Sequence, residues 1–93
     1  ETDPVTAAVL GKLCEELAEC IAAASRCQIQ GIAEAEPVTG VANQRWLENE
    51  IADVQAAIQV AKERLTLDTP RMLTRTGQKI DHLRRWHRLI AQS

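Results

Sequence analysis

Ninety-three residues fit one domain, and a chain this short buries only a modest part of its surface, so self-association is the expected way to complete its core. Apolar residues make up 45% but include no Phe or Tyr and only Trp46 and Trp86, leaving Leu, Ile, Val and Ala to build the core, a composition that favours helices over sheet. The formal net charge of −2 hides an asymmetry: residues 1–68 carry five Lys or Arg against twelve Asp or Glu, a balance of −7, and residues 69–93 carry six against Asp81 alone, a balance of +5.

Pro4 and Thr6 suit a helix start, with Thr6 as the N-cap, and the segment runs to about Gln30, where Gly31 supplies a stop. Val9, Leu10, Leu13, Leu17, Cys20, Ile21 and Ala24 recur at helical spacing. Cys14, Cys20 and Cys27 all fall on this helix, too far apart along its axis for an intrachain disulfide. They are expected to be free thiols acting as small buried hydrophobes, which suits a reducing cytosol and a cytoplasmic location. The start of the chain has neither the basic nor the apolar region of a signal peptide, and its lack of an initiating Met reads as processing or trimming.

Residues 31–42, GIAEAEPVTGVA, contain two Gly and one Pro without clear period, and read as a connection, either disordered or a substrate lid. Asn43 is expected to cap a second helix running to about Leu65, with Leu47, Ile51, Val54, Ile58, Ala61 and Leu65 as its apolar stripe. Thr69 caps and Pro70 opens a third helix to about Ile90, with Met72, Ile80, Leu83, His87 and Ile90 on one face. No strand signal, repeat or membrane-length apolar run occurs. The expected architecture is all-α, one domain over residues 1–93, built as a small bundle of three main helices spanning about 6–30, 43–65 and 69–90.

The first two helices each contain an acidic block, Glu15-Glu16-Leu17-Ala18-Glu19 and Glu50-Ile51-Ala52-Asp53. In each, two carboxylates spaced i, i+3 project from one side of the helix. With Glu16 at zero and about 100° per residue, Glu19 falls near 300° and the apolar stripe at roughly 20–100°; with Glu50 at zero, Asp53 and the second stripe fall at the same angles. Both pairs therefore border their core faces on the same side, and antiparallel packing can bring them together. Four clustered carboxylates repel one another unless a cation neutralises them, and oxygen-only ligands favour Mg²⁺ or Mn²⁺. No Glu-x-x-His occurs, which disfavours a ferritin-like di-iron bundle, and His87 is expected to pack rather than ligate.

The sequence EELAE followed by EIAD on consecutive helices resembles the MazG-like all-α nucleoside triphosphate pyrophosphohydrolase superfamily, whose signature is EExxE with ExxD. The resemblance runs over residues 10–60, with a weaker extension to the third helix, where Gly77-Gln78-Lys79-Ile80 matches only the Lys of the family's pattern. It implies Mg²⁺ held by Glu16, Glu19, Glu50 and Asp53, and hydrolysis of a nucleoside triphosphate to the monophosphate and pyrophosphate. It names Glu15, Glu16 and Glu50 as catalytic candidates, Glu15 being the more exposed, near 260° on the wheel. Lys12, Arg75 and Lys79 are candidates for phosphate contacts, and Trp46, one turn before Glu50, for stacking on a base. The connection between the motifs is longer than usual in that family and little chain precedes the first motif, so the expectation is either a homo-oligomer, dimer or tetramer, in which a second subunit completes the site, or a trimmed or minimal relative. The competing expectation is a noncatalytic helical assembly or regulatory module. Scattered basic residues and few aromatics disfavour direct nucleic-acid recognition.

Overall fold

The computed structural model describes residues 3–92. The chain folds into three helices, α1 (Pro4–Gln30), α2 (Asn43–Arg64) and α3 (Thr69–Ala91), with one isolated antiparallel bridge between Ala35 and Ala42 and no strand among the described residues. The expected all-α class and helix count are therefore observed. No helix is long and apolar enough to cross a membrane.

The expected caps all move toward the N-terminus, by three residues in α1 and by one in α2 and α3. α1 starts at Pro4 and is capped by Asp3, whose carboxylate accepts the Thr6 N–H at 2.9 Å and the Thr6 hydroxyl at 2.7 Å; Thr6 thus lies inside the helix. Asn43 is the first residue of α2, preceded by Ala42, which makes no side-chain cap. Asp68, not Thr69, caps α3 by accepting the Arg71 N–H at 3.1 Å. In both Asp3 and Asp68 an acidic acceptor at the positive helix end satisfies an otherwise orphan N–H.

The connection 31–42 is ordered rather than disordered. Gly31 ends α1 at φ 105 with its N–H on the Cys27 carbonyl, and Gly40 turns the chain at φ 73, a region that L side chains avoid. Between them the Glu36 N–H bonds the Val41 carbonyl at 2.8 Å, while the Glu36 carboxylate accepts from Val38 N–H at 3.1 Å and Thr39 N–H at 2.6 Å. Asn43 locks this turn to the helices. It is 1% exposed, and its Nδ2 donates to the Gly31 carbonyl at 3.0 Å and to Gln30 Oε1 at 3.3 Å. A side chain expected at an exposed cap is instead the most buried polar group among the described residues.

α1 and α2 pack antiparallel, as shown by successive pairs that run in opposite directions along the two helices: Cys27 with Asn43, Arg26 with Trp46, then Glu16 with Asp53. The seam is floored by buried Ala23 and Ala61 and flanked by half-buried Val9, Leu13, Glu16, Cys20, Cys27, Leu47, Glu50, Val54 and Ala57. It is turned by roughly 40° on each helix from the expected stripes, so that Glu16 and Glu50 stand in the seam rather than at its border. Small residues explain the turn, because helices approach most closely where Ala and Cys face each other. The bulkier Leu10, Leu17, Ile21, Ile51 and Ile58 are left exposed on one side of the hairpin. All three cysteines are free, as expected, though none is fully buried: Cys14 is exposed, and Cys20 and Cys27 are half-buried.

α3 differs from the expected bundle arrangement. It makes at most marginal contact with α1 or α2, and none of its residues is buried; His87, Ile80, Leu83 and Ile90 are exposed. The radius of gyration is 16.5 Å, against about 12 Å for a compact chain of this length. The cause lies in residues 65–68, Leu-Thr-Leu-Asp, an extended connector without glycine in which Leu65 takes φ −107, ψ 153.

Candidate metal centre

The hairpin brings one carboxylate oxygen each from Glu16, Glu50 and Asp53 within 4.8 Å of one another. Glu19 adjoins Glu50 closely enough for its carboxylate to perturb it. Three of the four expected metal-ligating residues thus come together, with Glu19 beside them, through antiparallel pairing of two i, i+3 carboxylate pairs on the same side of their helices. Glu16 Oε2 and Glu50 Oε2 are both shielded from solvent and have no hydrogen-bond partner.

Electrostatics record the conflict this creates. Burial of its carboxyl raises Glu16 above the usual carboxylate range, and the negative charges of Glu19 and Asp53 raise it further. Glu50 is raised for the same reasons, by burial first and then by Glu19, Asp53 and Glu16. Among the described residues no Arg or Lys forms an ion pair with any of the four; the two ion pairs are Lys12–Glu15 at 2.9 Å and Arg45–Glu48 at 3.9 Å, both exposed. An orphaned acceptor in a seam costs stability unless a donor or cation arrives, and an all-oxygen donor set of this charge fits a hard divalent cation.

Two grooves flank the carboxylates on the same side of the hairpin. The larger, about 410 Å³, is lined by Ala8, Val9, Lys12, Glu16, Asp53, Ala56, Ala57 and Val60. The smaller, about 220 Å³, is lined by Glu19, Ala22, Ala23, Arg26, Trp46 and Glu50. Lys12 and Trp46, expected on sequence grounds beside the acids, stand at opposite ends of the combined groove. One face of the Trp46 ring is already covered by the Arg26 guanidinium, 4.8 Å from its centroid.

Three expected site residues are not brought to this point within one chain. Glu15 points away from the seam into its ion pair with Lys12, in keeping with its outward wheel position. Arg75 and Lys79 lie on α3, where they line surface depressions made of α3 and connector residues alone. Arg26 is the residue that the sequence reading missed. The signal was available, since it lies seven residues, two turns, after Glu19 and so on the same side of the helix. No protein-family model, curated protein or solved structure matches the chain.

Proposed function

We propose that the chain is a metal-dependent nucleoside triphosphate pyrophosphohydrolase of MazG-like type, acting as a homo-oligomer in the cytoplasm and cleaving a triphosphate to the monophosphate and pyrophosphate. The observation that carries this reading is the pair of solvent-shielded, unpartnered oxygens of Glu16 and Glu50 in a seam shared with Asp53. Placing acids where apolar residues would pack is costly, and a cation-binding role accounts for it.

Glu16, Glu19, Glu50 and Asp53 would hold Mg²⁺, or Mn²⁺, which neutralises phosphate charge and supports charge developing in the transition state. The adjoining grooves offer room for a nucleotide, with Lys12 at one end to meet phosphate oxygens and Arg26 and Trp46 at the other to meet a base. A water molecule attacking the α-phosphorus must lose a proton as the bond to pyrophosphate breaks. Glu16 or Glu50, which stand in the seam beside the groove, would be placed to orient that water and take its proton, whereas Glu15 points away into its ion pair with Lys12.

The test is a panel of canonical and deoxy triphosphates with Mg²⁺, read as pyrophosphate release. Turnover of any member that disappears with chelator is the expected result. No release from any of them, together with no Mg²⁺-dependent rise in melting temperature, overturns the enzyme reading. The exposed, unpacked α3 favours the second reading, a noncatalytic assembly module, which that double negative would leave standing.

A further inference from the structure

We infer that α3 is a membrane-surface helix, lying in the plane of an anionic lipid bilayer with its apolar arc among the acyl chains and its basic borders against the headgroup phosphates. Among the described residues no helix is long and apolar enough to cross a membrane, so the association is peripheral. It does not rest on the hydrolase reading.

The apolar pattern of α3 asks for a cover of this kind. The helix spans 23 residues and buries none of them, a length of about 34 Å. With Leu83 at zero on a helical wheel, Trp86, Met72, Ile80 and Leu73 fall at roughly −60°, −20°, +60° and +80°, an arc about 140° wide. Leu89, at about −120°, falls outside it. Leu83, Trp86 and Leu73 are 46%, 55% and 76% exposed. Trp86 stands at one edge of the arc, where an indole at the level of the headgroups can turn its ring inward and its N–H toward water.

Charge decides the occupant. Residues 69–93 carry six Lys or Arg against Asp81 alone, a balance of +5. Arg75 borders the arc at roughly −80° and Arg84 at +100°, with Arg71 and Arg88 behind them at about −120° and +140°. Lys79 lies inside the arc near Trp86, and its four-carbon stem lets the ammonium reach back to the headgroups. Cations on both borders, around an arc with Trp and Leu, are the pattern of a helix that lies on an anionic bilayer. A protein groove touches the arc and its edges alone, whereas the field of a charged lipid surface reaches about 10 Å, roughly one helix diameter, and so attracts Arg85 on the far side as well. A nucleic acid would meet the charge and leave the apolar arc in water. The rest of the chain sets the orientation: residues 1–68, with a balance of −7, are repelled by the same surface, and the extended connector 65–68 holds α3 apart from them. The hairpin and its carboxylate groove therefore stand off in solvent while α3 lies down.

Flotation with lipid vesicles tests this on the full-length chain. Vesicles of phosphatidylcholine alone are compared with vesicles containing about one third phosphatidylserine. Binding to the mixed vesicles that weakens with added salt, without binding to phosphatidylcholine alone, is expected. In a Trp46→Phe chain the emission comes from Trp86 alone, and it is expected to shift to the blue on the mixed vesicles. Arg84→Gln combined with Arg88→Gln is expected to weaken partitioning roughly 25-fold, about fivefold for each charge removed, and Leu83→Gln about tenfold. Unchanged helical ellipticity without vesicles shows that these exposed substitutions keep the fold. No flotation with the mixed vesicles, equal flotation with both kinds, or wild-type partitioning in both variants overturns the proposal. So does a Trp86 blue shift that follows protein concentration and not vesicles, which would mean that a second copy covers the arc. Binding to duplex DNA of random sequence without binding to vesicles would overturn it in favour of a nucleic-acid partner.

Discussion

The hairpin and α3 are built from helices of similar length, yet they are opposites in how pattern relates to packing. α3 is the most sharply amphipathic of the three helices and buries nothing. α1 and α2 segregate their apolar residues less cleanly, yet among the described residues it is they that form the packed seam. An amphipathic stripe tells how much surface a helix needs covered, not by what. Close approach in the seam follows small residues, Ala23, Ala61 and Cys27, and accepts two glutamates in the middle. The seam thus gives up stability at Glu16 and Glu50, while α3 leaves Leu83, Trp86 and Leu89 in solvent. Each region has what the other lacks, negative charge in one and positive charge in the other.

The comparison breaks hardest at Glu50. Glu50→Gln is expected to lower pyrophosphate release on the order of 10³-fold. In metal-free protein it is also expected to raise the melting temperature, because it removes one of the mutually repelling charges. A purely structural glutamate would lower both or neither. Wild-type turnover in this variant would remove the metal assignment.

Divalent cation comes next in size. At about a hundredfold its dissociation constant, Mg²⁺ bound only to the folded state stabilises by about 2.7 kcal/mol. That shift is expected in wild type, measured by thermal melting, and is expected to vanish in Glu16→Gln. An equal shift in both would mean that Mg²⁺ binds elsewhere.

Asn43→Ala follows. The side chain ties the end of α1 and the connection to α2, with two donated bonds and no solvent exposure, so its loss is expected to cost about 1–2 kcal/mol in chemical denaturation. The buried Oδ1 has no partner of its own, which keeps the figure from being larger. An unchanged midpoint would show that the turn does not depend on this lock.

Much of this comparison was legible before the structure. Three helices and their limits, the free thiols, and the approach of Glu16, Glu50 and Asp53 with Glu19 beside them follow from local signals: breakers, and an angular offset shared by two helices. Two things were not legible. The rotation of the seam depends on which residues of both helices meet, and Ala23 facing Ala61 cannot be weighed against Leu17 facing Ile51 from either helix alone. The detachment of α3 depends on backbone geometry at Leu65 to Asp68, where no residue type is a strong turn signal. Asn43 was misplaced for the same reason, since its pattern fits a cap and only the packed turn shows it inside.

The pH dependence of stability sharpens the contrast within the hairpin. Glu16 and Glu50 have raised pKa values in the fold, so the stability they allow is full when they are protonated and is lost as pH rises through those raised values. Asp3 and Glu36 are lowered, Asp3 by bonds from Thr6 and Glu36 by bonds from Thr39 and Val38; their contribution is present above the ordinary carboxylate value and lost as pH falls below it. The two effects occupy different windows. Metal-free wild type is expected to lose stability relative to Glu50→Gln just above the ordinary carboxylate range, and Mg²⁺ to cancel that loss. Parallel pH profiles for the two proteins would mean that Glu50 titrates normally.

The smallest effect compares the two aspartate caps directly. Asp3 caps a helix that packs, and Asp68 caps one that does not. Both accept a backbone N–H three residues on, so the local loss on mutation to Ala should be similar. Its readout should not be. Asp3→Ala weakens a helix whose unfolding is coupled to the seam, and is expected to lower the cooperative melting temperature by about 4 °C. Under conditions where the chain is dilute enough to be monomeric, Asp68→Ala is expected to fray α3 alone, lowering helical ellipticity while the cooperative transition stays in place. A fall in the cooperative transition of Asp68→Ala equal to that of Asp3→Ala would show that α3 unfolds together with the hairpin.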